Sequence, residues 1–212
     1  MMSWQILHAT GRLRKHEPQI SEALHEAIGL LSRYFDIDLD ICVADSREHS
    51  NPILGIGGGA LSSSLLVIFL DPDHAGIRET IAQDLLAVLA HEVHHCVRMA
   101  SVKDKTLADR LVTEGLACHF ETEITGRDLP SFLPAETAKA WERYFAVMQP
   151  KLNDCEFRED ALFLGASPTT LPRYAGYAVG FGLVKAYLSC GHRSAAGSAA
   201  VSTADVMSAF KR

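Results

Sequence analysis

The sequence predicts an α+β fold dominated by helix, a single domain over residues 1–212 with a small N-terminal mixed sheet and a helical C-terminal lobe. Three observations carry this expectation. Strand-like runs are confined to the stretch before Pro72, behind one early amphipathic helix. A long helical pattern without Pro or Gly then occupies Ile77 to Met99. After it the chain shows helical periodicity interrupted by Pro and Gly, with no further alternation of the strand type.

The elements follow in order. Glu17 to Tyr34 reads as a helix with Ile20, Leu24, Ile28 and Leu31 as its apolar stripe. Ile37 to Val43 alternates and is expected to form a strand beneath the long helix. Pro52 to Asp71 reads as two strands joined by a small polar turn. Its Gly57-Gly58-Gly59 run is not followed by Lys-Ser/Thr and opens no helix, so a phosphate loop is not the reading. Glycines inside a strand more often mark a bulge or a close backbone approach. In the long helix Leu85, Leu89, Cys96 and Met99 recur at helical steps, and Leu86, Val93 and Val97 widen the face, as in a helix buried on most sides. Thr106 to Ala117 predicts a second helix. Asp128 to Pro134 breaks the chain before another, Ala135 to Met148. The run from Gln149 to Thr170 is less regular and is expected to form a loop over a cleft. Arg173 to Leu188 reads as a helix entered through Pro172. Ser194 to Thr203 leads into a last short helix from Ala204 onward.

Composition narrows the classes of function. Charged residues at 22% and hydrophobic residues at 48% are ordinary for a globular chain, and the net charge of -6 gives no footprint for nucleic acid. Arg12 to His16, the one basic cluster, is too short to change that. No run approaches the roughly 20 apolar residues that cross a bilayer, so no membrane partner is expected. No leader of signal type is visible at the start of the sequence. The five cysteines are odd in number and scattered without C-x-x-C, which points to thiols in a reducing cytoplasm. Cys190-Gly191-His192 is a lone pair after a helix end and is not read as a metal site.

His91-Glu92-Val93-His94-His95 matches H-E-x-x-H within the long helix. Residues four apart share a helix face, so both outer imidazoles can reach one metal ion. Glu92 sits about 100° round from His91, where its carboxylate can hold a water rather than the metal. Three imidazoles and a carboxylate within five residues are costly to bury without partners. His94 falls on the other side of His91 and is read as supporting a ligand or packing, not as a ligand. A third ligand is needed. The helix from Thr106 can return antiparallel and bring Glu114, with Gly115 beside it to let helix backbones approach. Two imidazoles and one carboxylate form a catalytic zinc set, one Zn2+ per chain, with water in the fourth position. Glu121, two turns further along the same face, and Glu123 remain alternatives for Glu114.

H-E-x-x-H at His91 to His95 followed by Glu114-Gly115-Leu116-Ala117 resembles the gluzincin metallopeptidases. More narrowly, it resembles a family of predicted zinc-dependent proteases whose members mostly lack an assigned function. The resemblance implies a zincin-like domain, a peptide or protein substrate, metal ligands His91, His95 and Glu114, and Glu92 as general base. Many gluzincins carry Asp four residues after the ligand Glu to orient a histidine. Cys118 stands there, which leaves Asp84, His119 and Glu121 as candidates for that task. Tyr177-x-x-Gly180-Phe181 is similar to the Tyr-x-x-Gly segment of gluzincin aminopeptidases, which assigns Tyr177 to the oxyanion, with Tyr174 next; otherwise both are core aromatics. The resembling families pair extended substrate with an edge strand, which implies substrate contacts at Gly57, Gly58, Gly59 and Ala60. That strand lacks the acid that holds a free amine, so an endopeptidase or narrow peptidase is expected rather than an aminopeptidase. Two other readings stand beside this one. A zinc amidase or deformylase would need a cysteine ligand, and Cys42 lies in no matching motif. A non-catalytic metal-binding module would not require Glu92 and would use four protein ligands.

Overall fold

The structure is a computed structural model that describes residues 1–166, 170–191 and 193–210. Ser167, Pro168 and Thr169 of the expected loop, and His192 of the Cys-Gly-His pair, lie outside the described residues. The chain forms two compact units, Met1–Ala100 and Ser101–Arg212, and the α+β class is as expected.

The first unit is built on a four-stranded sheet in the order β1-β2-β4-β3. Its strands are β1 (Met2–Ile6), β2 (Leu39–Asp45), β3 (Ile56–Ser62) and β4 (Leu65–Leu70). β1 and β4 both run parallel to β2, and β3 pairs antiparallel with β4 at one edge. A parallel pair needs a crossover, and helix α1 (Glu17–Leu31) supplies it between β1 and β2. Leu39, Ile41 and Val43 of β2 and Leu66, Ile68 and Leu70 of β4 are all buried, as period-two alternation requires. The register shifts between Ala60 and Ser62, and Leu61 at that irregularity is 63% exposed. β1 was not expected from sequence. Its five residues carry too little pattern alone, and only pairing with a distant strand makes them one.

The expected helix from Ile77 to Met99 is two helices, α2 (Ile77–Gln83) and α3 (Leu85–Met99). Asp84 bends the path without ending the hydrogen-bond ladder: its N–H donates to Thr80 O (2.8 Å), and its C=O accepts from Val88 N–H (3.0 Å). Aspartate competes with helical backbone bonding, which explains a bend at this residue. α3 packs on β3 and β4, and α1 packs on α3. The α1 stripe buries Ile20, Leu24 and Leu31 as expected, with Ala27 rather than Ile28 as its fourth fully buried member.

The second unit is helical. α4 (Leu107–Thr125) opens on a capping box between Thr106 and Asp109 and closes on Gly126 in the left-handed conformation. The Asp109 carboxylate also accepts from Thr203 Oγ1 (2.6 Å), which ties α9 (Thr203–Phe210) to the start of α4. α8 (Ala175–Ser189) packs along α4, and α5 (Ala135–Lys139), α6 (Trp141–Met148), α7 (Glu159–Phe163) and α9 gather round α8. Leu111, Phe145, Met148, Phe163, Val179 and Leu183 form the core between them. The expected helix Ala135 to Met148 is divided at Ala140. That turn lets the Trp141 ring lie over Gly182 of α8, where a Cβ would overlap the indole.

Candidate metal centre

His91 and His95 lie one turn apart on α3, both buried, with ring centroids 4.7 Å apart and edge to face. Glu92 between them is also buried. Its carboxylate turns to the edge strand, where Ala60 N–H donates to Glu92 Oε2 at 2.9 Å. Gly58 makes that approach sterically open. A Cβ there would lie 2.6 Å from Glu92 Cγ and 2.9 Å from both Glu92 Oε1 and Val88 Cγ1. Gly57 meets the His49 carbonyl in the same close way, whereas Gly59 has open space where a Cβ would be. Cys96, on the same helix, has its thiol pushed up to about 12 by burial and by the charge of Glu92, so it is an unreactive packing group. His94 is fully buried with its ring edge-on to Phe35 (6.2 Å). Asp84 stands at the bend that opens α3.

Glu114 lies on α4 and is 2% exposed. Arg110, one turn earlier, places Nη2 2.9 Å from Glu114 Oε1 and 2.6 Å from Glu159 Oε1 of α7. Burial opposes the arginine's charge, and Glu114, Glu159 and Tyr177 more than offset it, holding its pKa above the ordinary value. Gly115 does meet a helix backbone, that of α8: a Cβ on it would overlap the Gly180 carbonyl, and a Cβ on Gly180 would overlap Leu111 O. Glu121 is buried and accepts Ser131 N–H (2.7 Å), while Glu123 accepts Ala195 N–H (2.6 Å). His119 stacks on Phe181 at 4.0 Å, and its Nε2–H donates to Phe181 O (2.9 Å), so it braces α4 against α8.

Tyr177 on α8 is half-buried among rings, edge-on to Phe132 (4.9 Å) and Phe163 (5.2 Å) and 6.1 Å from Tyr174. Tyr174 precedes α8 with φ 71°, the one non-glycine residue with positive φ among the described residues. Bulky side chains rarely adopt that conformation. Here the Tyr174 N–H donates to Phe163 O (2.8 Å), and its ring packs on Phe132 (5.2 Å). The helix expected from Arg173 therefore starts at Ala175.

The ligand atoms of His91, His95 and Glu114 all lie within 4.8 Å of one another. No cysteine belongs to this group, as the deformylase reading would require. Two imidazoles and a carboxylate, all buried, match the donor set of a catalytic zinc site, and such a set is costly to bury with no cation among it. Three groups that hold these residues in place are not evident from the motif alone: Arg110, Glu159 and the Ala60 N–H. Arg110 was legible in principle as the residue one turn before Glu114. Glu159 and the Ala60 N–H carry no local signal.

The chain is a mixed α/β protein with H-E-x-x-H on a buried helix and a His-His-Glu group able to hold a metal ion. Comparison at the level of families is specific: the chain belongs to the family described as "Predicted Zn-dependent protease (DUF2268)", whose model matches residues 17–208. It is also similar to the uncharacterized protein YjaZ of Bacillus subtilis (strain 168), 31% identical over 119 residues. That alignment spans 52% of this chain and 44% of the relative. No solved structure matches the chain. Among the described residues, no helix is long and apolar enough to cross a membrane.

Proposed function

We propose that this protein is a zinc-dependent peptide-bond hydrolase, cutting within peptides or a narrow set of them rather than trimming free N-termini. The observation that carries the reading is the convergence of the His91, His95 and Glu114 ligand atoms within 4.8 Å, with Glu92 on the same helix as two of them. A zinc ion held by these residues would supply Lewis acidity, lowering the pKa of water toward about 7 and polarising a carbonyl.

The chain's own groups do the rest. Glu92 takes the proton of the attacking water and passes it to the leaving amine. Tyr177 donates its hydroxyl hydrogen to the carbonyl oxygen as charge develops there. Support for Tyr177 comes from its place near Arg110, whose charge it favours and whose guanidinium bonds Glu114. The three aromatic rings around Tyr177 limit its rotation. Glu114, held at Oε1 by Arg110, would offer the metal a carboxylate whose rotation is restricted. Gly57 to Ala60 on the edge strand accept an extended peptide by strand addition, using main-chain bonds that tolerate varied side chains. A cytoplasmic location belongs to the same reading and rests on the scattered cysteines.

The experiment is metal content with turnover. The purified protein is expected to hold about one zinc per chain, the normal occupancy of a three-ligand catalytic site. Glu114→Ala should lose it or bind it far more weakly. Glu92→Gln should keep the zinc and lose roughly 10²–10⁴-fold in cleavage of a labelled unstructured protein, the range of a lost general base. Zinc retained at full affinity in Glu114→Ala, or full turnover in Glu92→Gln, rejects the assignment.

A further inference from the structure

We infer that the edge strand is part of the base's machinery: the Ala60 N–H is a positioning group that holds Glu92, and Gly58 is the residue that gives Glu92 room to be held. This rests on the reading of Glu92 as general base.

The geometry is local and consistent. Ala60 N–H reaches Glu92 Oε2 at 2.9 Å, so one carboxylate oxygen is fixed by a main-chain donor that no rotamer change can move. Main-chain donors on a paired strand are rigid, and a charge-assisted bond to a carboxylate is stronger than a neutral one. The path of the side chain to that donor runs across Gly58, where a Cβ would stand 2.6 Å from Glu92 Cγ. A side chain at position 58 therefore crowds Glu92 at Cγ and Oε1 together with Val88 at Cγ1, and Glu92 can no longer keep its place on the Ala60 N–H. Gly59 next to it has open space, so the run of glycines is not a uniform device.

The strand's hydrogen-bond directions extend the argument. Gly55 O accepts from Asp71 N–H on the β4 side, and Ile56 O accepts from Asn51 N–H on the other. Alternation then turns the main-chain groups of Gly58 and Ala60 away from β4. The Ala60 donor is engaged by Glu92. An extended peptide added to this edge would therefore find its main-chain partner at Gly58, next to the carboxylate. The residues that receive the peptide and those that hold the base are then the same short segment. A shift of the strand moves both together.

The test uses Gly58→Ala, Ala60→Pro and Ala60→Gly in the full chain. Proline removes the N–H and is tolerated on an edge strand; glycine removes the methyl and keeps the N–H. All three should bind zinc at the wild-type ratio. Gly58→Ala and Ala60→Pro should lose about 10²-fold in kcat, the scale of an ångström of misplacement, with KM within about threefold. Ala60→Gly, which keeps the donor, should lose far less than Ala60→Pro. Wild-type kcat in folded, zinc-loaded Gly58→Ala or Ala60→Pro overturns the proposal, and so does an equal loss in Ala60→Gly.

A second readout needs no turnover. The Ala60 amide proton, bonded to a carboxylate, should move upfield in Glu92→Ala, as read by ¹H–¹⁵N correlation spectra of the labelled protein. An unmoved resonance overturns the proposal by itself. A moved resonance together with full turnover in Glu92→Gln also overturns it, and attributes the failure to the base assignment rather than to the hydrogen bond.

Discussion

Gly58 and Gly115 each stand beside a carboxylate of the candidate site, and each admits a neighbour that a Cβ would exclude. The neighbours differ in kind. Gly58 of the sheet unit admits two side chains, Glu92 and Val88, which can shift if crowded. Gly115 of the helical unit admits the Gly180 carbonyl, part of a helix backbone that cannot. The same residue type therefore serves two ends. In the sheet unit it leaves room for a group proposed to act; in the helical unit it sets how closely α4 and α8 pack, and thereby where Glu114 is carried. Crowding Gly58 should cost function more than fold. Crowding Gly115 should cost fold first.

The largest expected effect is on Gly115→Ala, which should lower unfolding free energy by about 3 kcal/mol, the upper part of the overpacking range. Urea titration measures it. Gly180→Ala should cost a similar amount, and because the two glycines share one contact the double variant should cost less than the sum. The sharpest challenge to the comparison is Gly58→Ala in the same titration. Its cost should be smaller, about 1–2 kcal/mol, since side chains and not a helix backbone are crowded. A loss equal to that of Gly115→Ala would erase the distinction.

His119 tests the α4–α8 contact through pH. Burial pushes its pKa down to about 4, with Lys185 acting in the same direction and the bond to Phe181 opposing. Above the ordinary histidine value of 6.5 the imidazole is neutral folded or unfolded and contributes no pH dependence. As pH falls from 6.5 toward 4 the unfolded chain binds the proton first, so stability is lost across that window, by up to about 3 kcal/mol. Urea midpoints for the wild type and His119→Gln at pH 7 and pH 5 should show a fall that the variant lacks.

Smaller effects follow. Thr203→Val removes the bond to Asp109 Oδ1 and should cost about 1–2 kcal/mol, as for a hydrogen bond to a charged group. Gly59→Ala should leave stability within about 0.5 kcal/mol or raise it slightly, because nothing lies where its Cβ would go. A large loss there would mean that the edge strand is packed on both faces.

Much of the candidate site was legible because a helix repeats its faces locally. The spacing of His91 and His95 placed two imidazoles on one face, and Glu92 followed from position alone. Glu114 was legible from its neighbours Gly115 to Ala117 and from the distance a returning helix needs. The sequence by itself also determined the α+β order of elements, since apolar periodicity is read within each segment. Tertiary structure decided the rest. Whether Met2 to Ile6 is a strand depended on β2, far along the chain. The division at Ala140 depended on Trp141 lying over Gly182. That Gly115 meets Gly180, that Arg110 joins Glu114 to Glu159, and that Ala60 holds Glu92 are pairings across 65, 49 and 32 residues. Local periodicity says which way a side chain faces on its own element, and only packing of elements distant in sequence says what it meets there.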